Sequence, residues 1–348
     1  MDPLKIGVAY HSNRTLKTVR LDLEDICDKG FNTVIHMFSH NDWKRCPSVM
    51  KDIIAYSKEL GLDVWVDNWG LMGAPGDPCH FPSYHPEAIR MFSDGTSNAP
   101  KVCLNSEAFV EWTKEWIDLV YDCGGRKIFW DEPALAMTED KFACGCPHCR
   151  ELFLKRYGRE MPVKPDADCS DFQVWTITNY FKQVTEYAAS KGMENSVCVM
   201  LHSGIGISLD NIDEMAKIDT MHNIGSDPYW SYSRGDWTFE SIYEYNYTNA
   251  KKNMDVCKET GKGHNIWVKA YGLPEGTERG TVYAAEAIYD AGARNIFFWG
   301  YRGCDGNEYR SACPELQWKA TGDAVARLWE KERERIVANA RKNLGLDK

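Results

Sequence analysis

No run of about 18 consecutive apolar residues occurs in this chain of 348, so nothing in it reads as a transmembrane helix and no membrane partner is expected. Basic residues are in the minority. Lys and Arg number 41 against 51 Asp and Glu, the net charge is -10, and no basic stripe gathers what cations there are. A nucleic-acid partner, which depends on clustered cations releasing counterions from phosphates, is therefore not expected. The first residues, Met1-Asp2-Pro3-Leu4-Lys5, carry neither a basic segment nor an apolar one, and a cytoplasmic location is the expectation. Low-complexity segments are absent, as is any internal repeat beyond a strand–helix unit. No Gly-rich phosphate loop follows the first strand-like run, which argues against a doubly wound nucleotide-binding sheet.

What the chain does contain is an ordinary globular share of apolar residues, 43%, together with 13 Trp and 13 Cys. Eight β-branched and aromatic runs read as buried parallel strands, at 5–10, 33–38, 63–69, 127–131, 196–202, 220–226, 265–271 and 295–301. Amphipathic helical patterns lie between them, among others at 48–60, 107–123, 172–191 and 281–291, and Gly30, Gly61, Gly192 and Gly292 stand where helix C-caps belong. Eight strand–helix units predict a (β/α)8 barrel, a TIM barrel, as one unit over 1–348. The two longest connections follow strands three and four, at 70–102 and 132–170, and loops of that length are usually functional rims or lids.

Barrels of this kind place their chemistry at the C-terminal strand ends. Those ends are rich in acids and aromatics: Asp67 and Trp69 on strand three, Asp131 and Glu132 on strand four, Asp227, Tyr229 and Trp230 on strand six, Lys269 on strand seven with Glu275 beyond it, and Trp299 and Arg302 on strand eight. Paired carboxyls at an aromatic mouth suit glycoside hydrolysis, which needs one acid to protonate the leaving oxygen and a second carboxylate to attack or to activate water. A carbohydrate is the substrate this implies, with Trp69, Trp230 and Trp299 as stacking platforms. The plainer alternatives are that the tryptophans fill the core and that Asp131 or Glu132 caps a helix or pairs with Arg302.

The segment Cys144-Gly145-Cys146-Pro147-His148-Cys149, continuing to Arg156-Tyr157-Gly158, resembles the cysteine-cluster insertion of the family 42 β-galactosidases, and Val102-Cys103 resembles the segment carrying that family's fourth zinc cysteine. The resemblance places the chain among the clan A barrel glycosidases and implies that Glu132, at the end of strand four, is the acid/base residue. It also implies a nucleophilic glutamate at the end of strand seven, where this chain has Val268-Lys269-Ala270-Tyr271 and no acid until Glu275. A strand-four acid paired with a strand-six acid occurs in the clan D barrels, so Asp227 is the second carboxylate, preferred to Glu275 because it stands directly at a strand end. Glu132, beside Trp130 and Pro133, is expected to be desolvated and to donate the proton; Asp227 is expected to stay ionised with help from Lys269, while Asp67, Asp131 and Arg302 hold hydroxyls or orient the pair.

Independently of any family, Cys-x-Cys-x-x-Cys plus one further thiol satisfies tetrahedral zinc, and a closed four-thiolate site is structural. Cys103, Cys144, Cys146 and Cys149 are the ligands this suggests, with His148 able to replace one thiol and reduced thiols in a loop as the metal-free alternative. Two rival functions remain open: a Schiff-base aldolase or lyase built on Lys269, unless that lysine merely pairs with Asp227 or Glu275, and a sugar-binding barrel without activity. A homo-oligomer is compatible with either.

Overall fold

The computed structural model describes residues 3–346 apart from 12, 71–75, 78 and 203–205, so part of the long connection after the third strand lies outside the described residues. Ten strands form in chain order: β1 (Lys5–Tyr10), β2 (Thr33–Met37), β3 (Asp63–Asp67), β4 (Ile89–Met91), β5 (Ser97–Val102), β6 (Lys127–Trp130), β7 (Glu194–Val199), β8 (Asn223–Ser226), β9 (Gly263–Lys269) and β10 (Asn295–Trp299). Eight of them close a parallel barrel in the order β1-β10-β9-β8-β7-β6-β3-β2, and β1 pairs β10 with Ile6 opposite Ile296. Closure of the first strand on the last rules out the open doubly wound sheet.

All eight barrel strands stand where apolar runs occur, because a parallel strand covered on both faces is apolar throughout. Four of them, β3, β7, β9 and β10, end two or three residues earlier than the runs do, and β2 and β6 end one earlier. Trp69, Asp131 and Tyr271 thereby leave the ladder and join Glu132 and Arg302 in the mouth loops. Outside, helices Leu16–Asp28, Pro47–Glu59, Glu107–Asp122, Ala167–Ser190, Phe239–Thr260, Gly280–Asp290 and Pro314–Asn343 cover the barrel, with the short Asp213–Ala216 after β7. Gly30, Gly61, Gly192 and Gly292 each follow a helix with positive φ, as C-cap glycines do.

The barrel interior is filled by Ala9, Ile35, Met37, Trp65, Phe129, Cys198, Trp267 and Phe297. Rings of that size need small partners. A Cβ on Gly7 would meet Phe297 at 2.7 Å and Ile35 at 2.9 Å, so glycine is what lets β1 pass them. Among the described residues no helix is long and apolar enough to cross a membrane.

The connection between β3 and β6 is a rim with its own structure. It holds a short helix, Phe81–Tyr84, and the antiparallel hairpin β4–β5, which delivers Cys103 at its end.

Candidate active site

Along each barrel strand every second side chain points inward, and at the mouth this parity selects the site residues. A cleft of about 540 Å³ opens there, lined by Trp69, Asp131, Glu132, Cys198, Asp227, Tyr229, Trp267, Tyr271, Trp299 and Tyr309. Glu132 and Asp227 both line this cleft, and Glu132 stands close enough to Asp227 to act on its carboxyl. Glu132 is half-buried and has φ 31, a left-handed conformation uncommon outside glycine and recurrent at functional sites. Arg90 donates to the Ala134 carbonyl at 3.2 Å and fixes the loop that holds Glu132.

Asp227 lies deep among protein atoms although solvent still reaches it, and this desolvation, with the neighbouring Glu132, pushes its carboxyl well above the usual range. That direction runs against the expectation that Asp227 stays ionised. Lys269 does not intervene. Its ammonium sits 4.7 Å from the centre of the Tyr271 ring, burial lowers its pKa, and among the described residues no carboxylate pairs with it. Asp131 is buried, and desolvation together with Asp67, Glu132 and Asp227 raises it too. Asp67 is fully buried beneath the cleft and is raised by burial, out of reach of a hydroxyl in the cleft.

Three expected site residues lie elsewhere. Trp230 is 1% exposed and packs outward against Gly280 and Ile242 in the helical core, because it follows Tyr229, whose side chain takes the inward position. Glu275 is exposed in its loop beside Cys313. Arg302 pairs with Glu315 on the outside of the barrel, so it neither binds at the cleft nor orients the acids. Trp130, expected to flank Glu132, instead points toward the helices, where its Nε1 donates to Asn195.

Conversely, Cys198, Trp267, Tyr271 and Tyr309 line the cleft without having been singled out from sequence. His11 is another addition, stacked on Trp69 and Trp299 with ring centres 5.5 and 5.9 Å away. Burial lowers its pKa to about 4, so it is neutral at ordinary pH. Alternation within the strands would have found Cys198 and Trp267; for Tyr309, far along a loop, the sequence carries no signal.

Beside the mouth the sulfurs of Cys103, Cys144, Cys146 and Cys149 all lie within 4.8 Å of one another. Cys103 Sγ is 3.4 Å from Cys149 Sγ and 3.7 Å from Cys146 Sγ. Four sulfurs bound to zinc at 2.3 Å would stand about 3.8 Å apart, so the cluster fits a tetrahedral thiolate ion site. Hydrogen bonds from the other three thiols hold Cys144 well below its ordinary pKa. Buried Arg90 stands close enough to stabilise thiolates, and Asn105 Nδ2 donates to Cys149 Sγ at 3.4 Å. His148 is exposed and takes no part. At Gly145 a Cβ would meet the backbone of Ser93 at 2.6 Å, and its N–H donates to Met91, which binds the cysteine loop to the β4–β5 hairpin.

No protein-family model matches the chain, and no curated protein matches it. Among solved structures it is similar to the endo-beta-1,4-mannanase from Thermotoga petrophila, at 13% identity over 94% of this chain and 77% of that one, with a TM-score of 0.59. A second structure, of the hyperthermostable endo-1,4-beta-D-mannanase from Thermotoga petrophila RKU-1, matches at 14% identity over 94% and 99%, with a TM-score of 0.57. D-psicose 3-epimerase from Clostridium cellulolyticum H10 follows at 10% identity over 94% and 99%, with a TM-score of 0.49. At such identities the likeness is one of fold alone.

Proposed function

We propose that the chain is a glycoside hydrolase acting on a small carbohydrate through the carboxyl pair Glu132 and Asp227. The observation that carries this reading is the neighbouring carboxyl pair, set in a cleft walled by Trp and Tyr. The fold shared with an endo-mannanase supports it, and so does the resemblance of the cysteine segment to family 42.

The environments suggest the roles. Asp227, whose carboxyl is raised by burial, donates a proton to the leaving oxygen as the glycosidic bond breaks; Glu132 attacks the anomeric carbon or activates water. Trp69 and Trp299 offer their faces to the sugar ring. Lys269, packed on Tyr271 outside the cleft lining, is poorly placed for a Schiff base.

The test compares two glycosides. Asp227→Asn should cripple hydrolysis of an alkyl glycoside and largely spare one whose leaving group needs no proton, whereas Glu132→Gln should cripple both. The opposite pattern would exchange the roles, and turnover unaffected by either substitution would refute the reading.

In the four-cysteine centre we propose zinc in a structural role, since four thiolates leave no position for water. The centre and the segment 132–170 then form an insertion on the barrel whose first residue, Glu132, belongs to the reacting site while its cysteines do not.

A further inference from the structure

The two-carboxylate chemistry leaves a third cleft carboxyl, Asp131, without a task. Asp131 is 9% exposed, and the ionisable groups that face it are themselves acids: Asp67, Glu132 and Asp227. Among the described residues lining the cleft there is no Lys, Arg or His. The nearest bases are committed elsewhere: Lys269 to the Tyr271 ring, Arg302 to Glu315, and His11 to its stack between Trp69 and Trp299, where burial keeps it neutral. Such a cleft offers a uronic or sulfated sugar no cation and leaves its surplus acid without a counter-charge.

The walls point the same way. Trp69, Trp267, Trp299, Tyr229, Tyr271 and Tyr309 surround the acids, with Trp267 and Trp299 at 5.6 Å and Tyr229 and Tyr271 at 5.4 Å between ring centres. Aromatic faces attract cations, most strongly where water is excluded. Trp267 lines this wall while being only 1% exposed, so its ring is held in place by the barrel interior.

We propose that the cleft selects a sugar bearing a free, protonated amine, with Asp131 facing the ammonium and the tryptophan and tyrosine rings of the wall caging it. The proposal rests on reading the cleft as a carbohydrate site and names the class of sugar it takes. Once an ammonium is bound, Asp131 is stabilised as a carboxylate, so binding releases a proton near neutral pH.

Calorimetry on the intact protein, with methyl glycosides of glucosamine and galactosamine set against their N-acetyl and hydroxyl counterparts, is the test. In at least one configuration the amine should bind about tenfold tighter or more, and runs in buffers of different ionisation enthalpy should show proton release for the amine alone. Asp131→Asn should erase the preference. Because that variant could misfold, tetramethylammonium chloride serves as a second probe on the unaltered protein: it should quench tryptophan fluorescence at concentrations where tert-butanol does not. Equal affinity within each matched set, and tetramethylammonium no better than tert-butanol, would overturn the proposal. Turnover of neutral glycosides that depends on Glu132 but shows no amine preference would leave the hydrolase reading standing and remove this one. Amine-selective binding without hydrolysis of any glycoside would do the reverse.

Discussion

Two clusters of buried ionisable groups stand side by side in this molecule, and they are built on opposite principles. The cysteine centre draws three of its four groups from six consecutive residues and keeps a cation, Arg90, beside them. The acids of the mouth come from β3, β6 and β8, each at a strand end, and no cation lines their cleft among the described residues. One cluster has the geometry to hold a metal ion; in the other, burial and neighbouring acids raise the carboxyls Asp131 and Asp227. Arg90 joins them, since it lies beside the thiols and also donates to Ala134, two residues from Glu132.

The largest effects should separate the clusters by kind. Replacing Asp227 by Asn or Glu132 by Gln should lower turnover of an alkyl glycoside about 10²- to 10⁴-fold with the thermal midpoint little changed or raised. Cys146→Ser should do the converse. It should abolish the near-stoichiometric zinc expected from metal analysis and lower the melting temperature by about 5 °C or more. Any loss of activity should then follow the loosening of the Arg90-anchored loop and fall equally on both leaving-group types. Cys146→Ser protein that keeps its stability and was metal-free from the start would break the comparison.

A middle-sized effect tests the missing cation. Asp131 and Asp227 bind their protons more tightly in the folded chain than in the unfolded one, so the stability they contribute is fully present below about pH 4 and is lost as pH rises through their raised folded values. Asp131→Asn has no proton to lose. Its stability should match the parent protein near pH 4 and exceed it by about 1 kcal/mol at neutral pH in paired thermal melts, the exchange of stability for function common at active sites. A difference that does not grow with pH would mean that Asp131 has a counter-charge after all.

The contrast also explains what could be read from the sequence. Barrel strands announce themselves as apolar runs, and the cysteine spacing is local, so both were legible along the chain. The mouth was legible only as a set of candidates. Trp230 was placed in it by proximity to Asp227, although strand parity assigns the inward positions to Asp227 and Tyr229 and turns Trp230 to the helices. The same parity would have added Trp267 and Cys198. Which carboxyl keeps the proton was not legible, because it depends on burial and on the mutual approach of residues 95 positions apart in the chain, Glu132 and Asp227.

The smallest expected effect concerns Arg302, which lies near Trp299 in the chain yet belongs to neither cluster. Its side chain is 37% exposed and pairs with that of Glu315, which is 72% exposed. Exposed pairs of this kind contribute between zero and about 1 kcal/mol, because solvent screens the attraction and two long side chains must be ordered to form it. Arg302 also has φ 47, a left-handed conformation that costs any non-glycine residue about the same whichever side chain it carries. Arg302→Ala therefore leaves the backbone strain as it was and removes only a rim contact. Turnover should stay within about twofold of the parent and stability within about 1 kcal/mol. The side cleft that Arg302 shares with Tyr10, His11 and Asp22 lies next to the aromatic stack of the mouth, so a long oligosaccharide could in principle extend into it. A tenfold rise in KM confined to longer substrates would show that the sugar does reach this second cleft, whereas an equal loss on every substrate would return Arg302 to the reacting site.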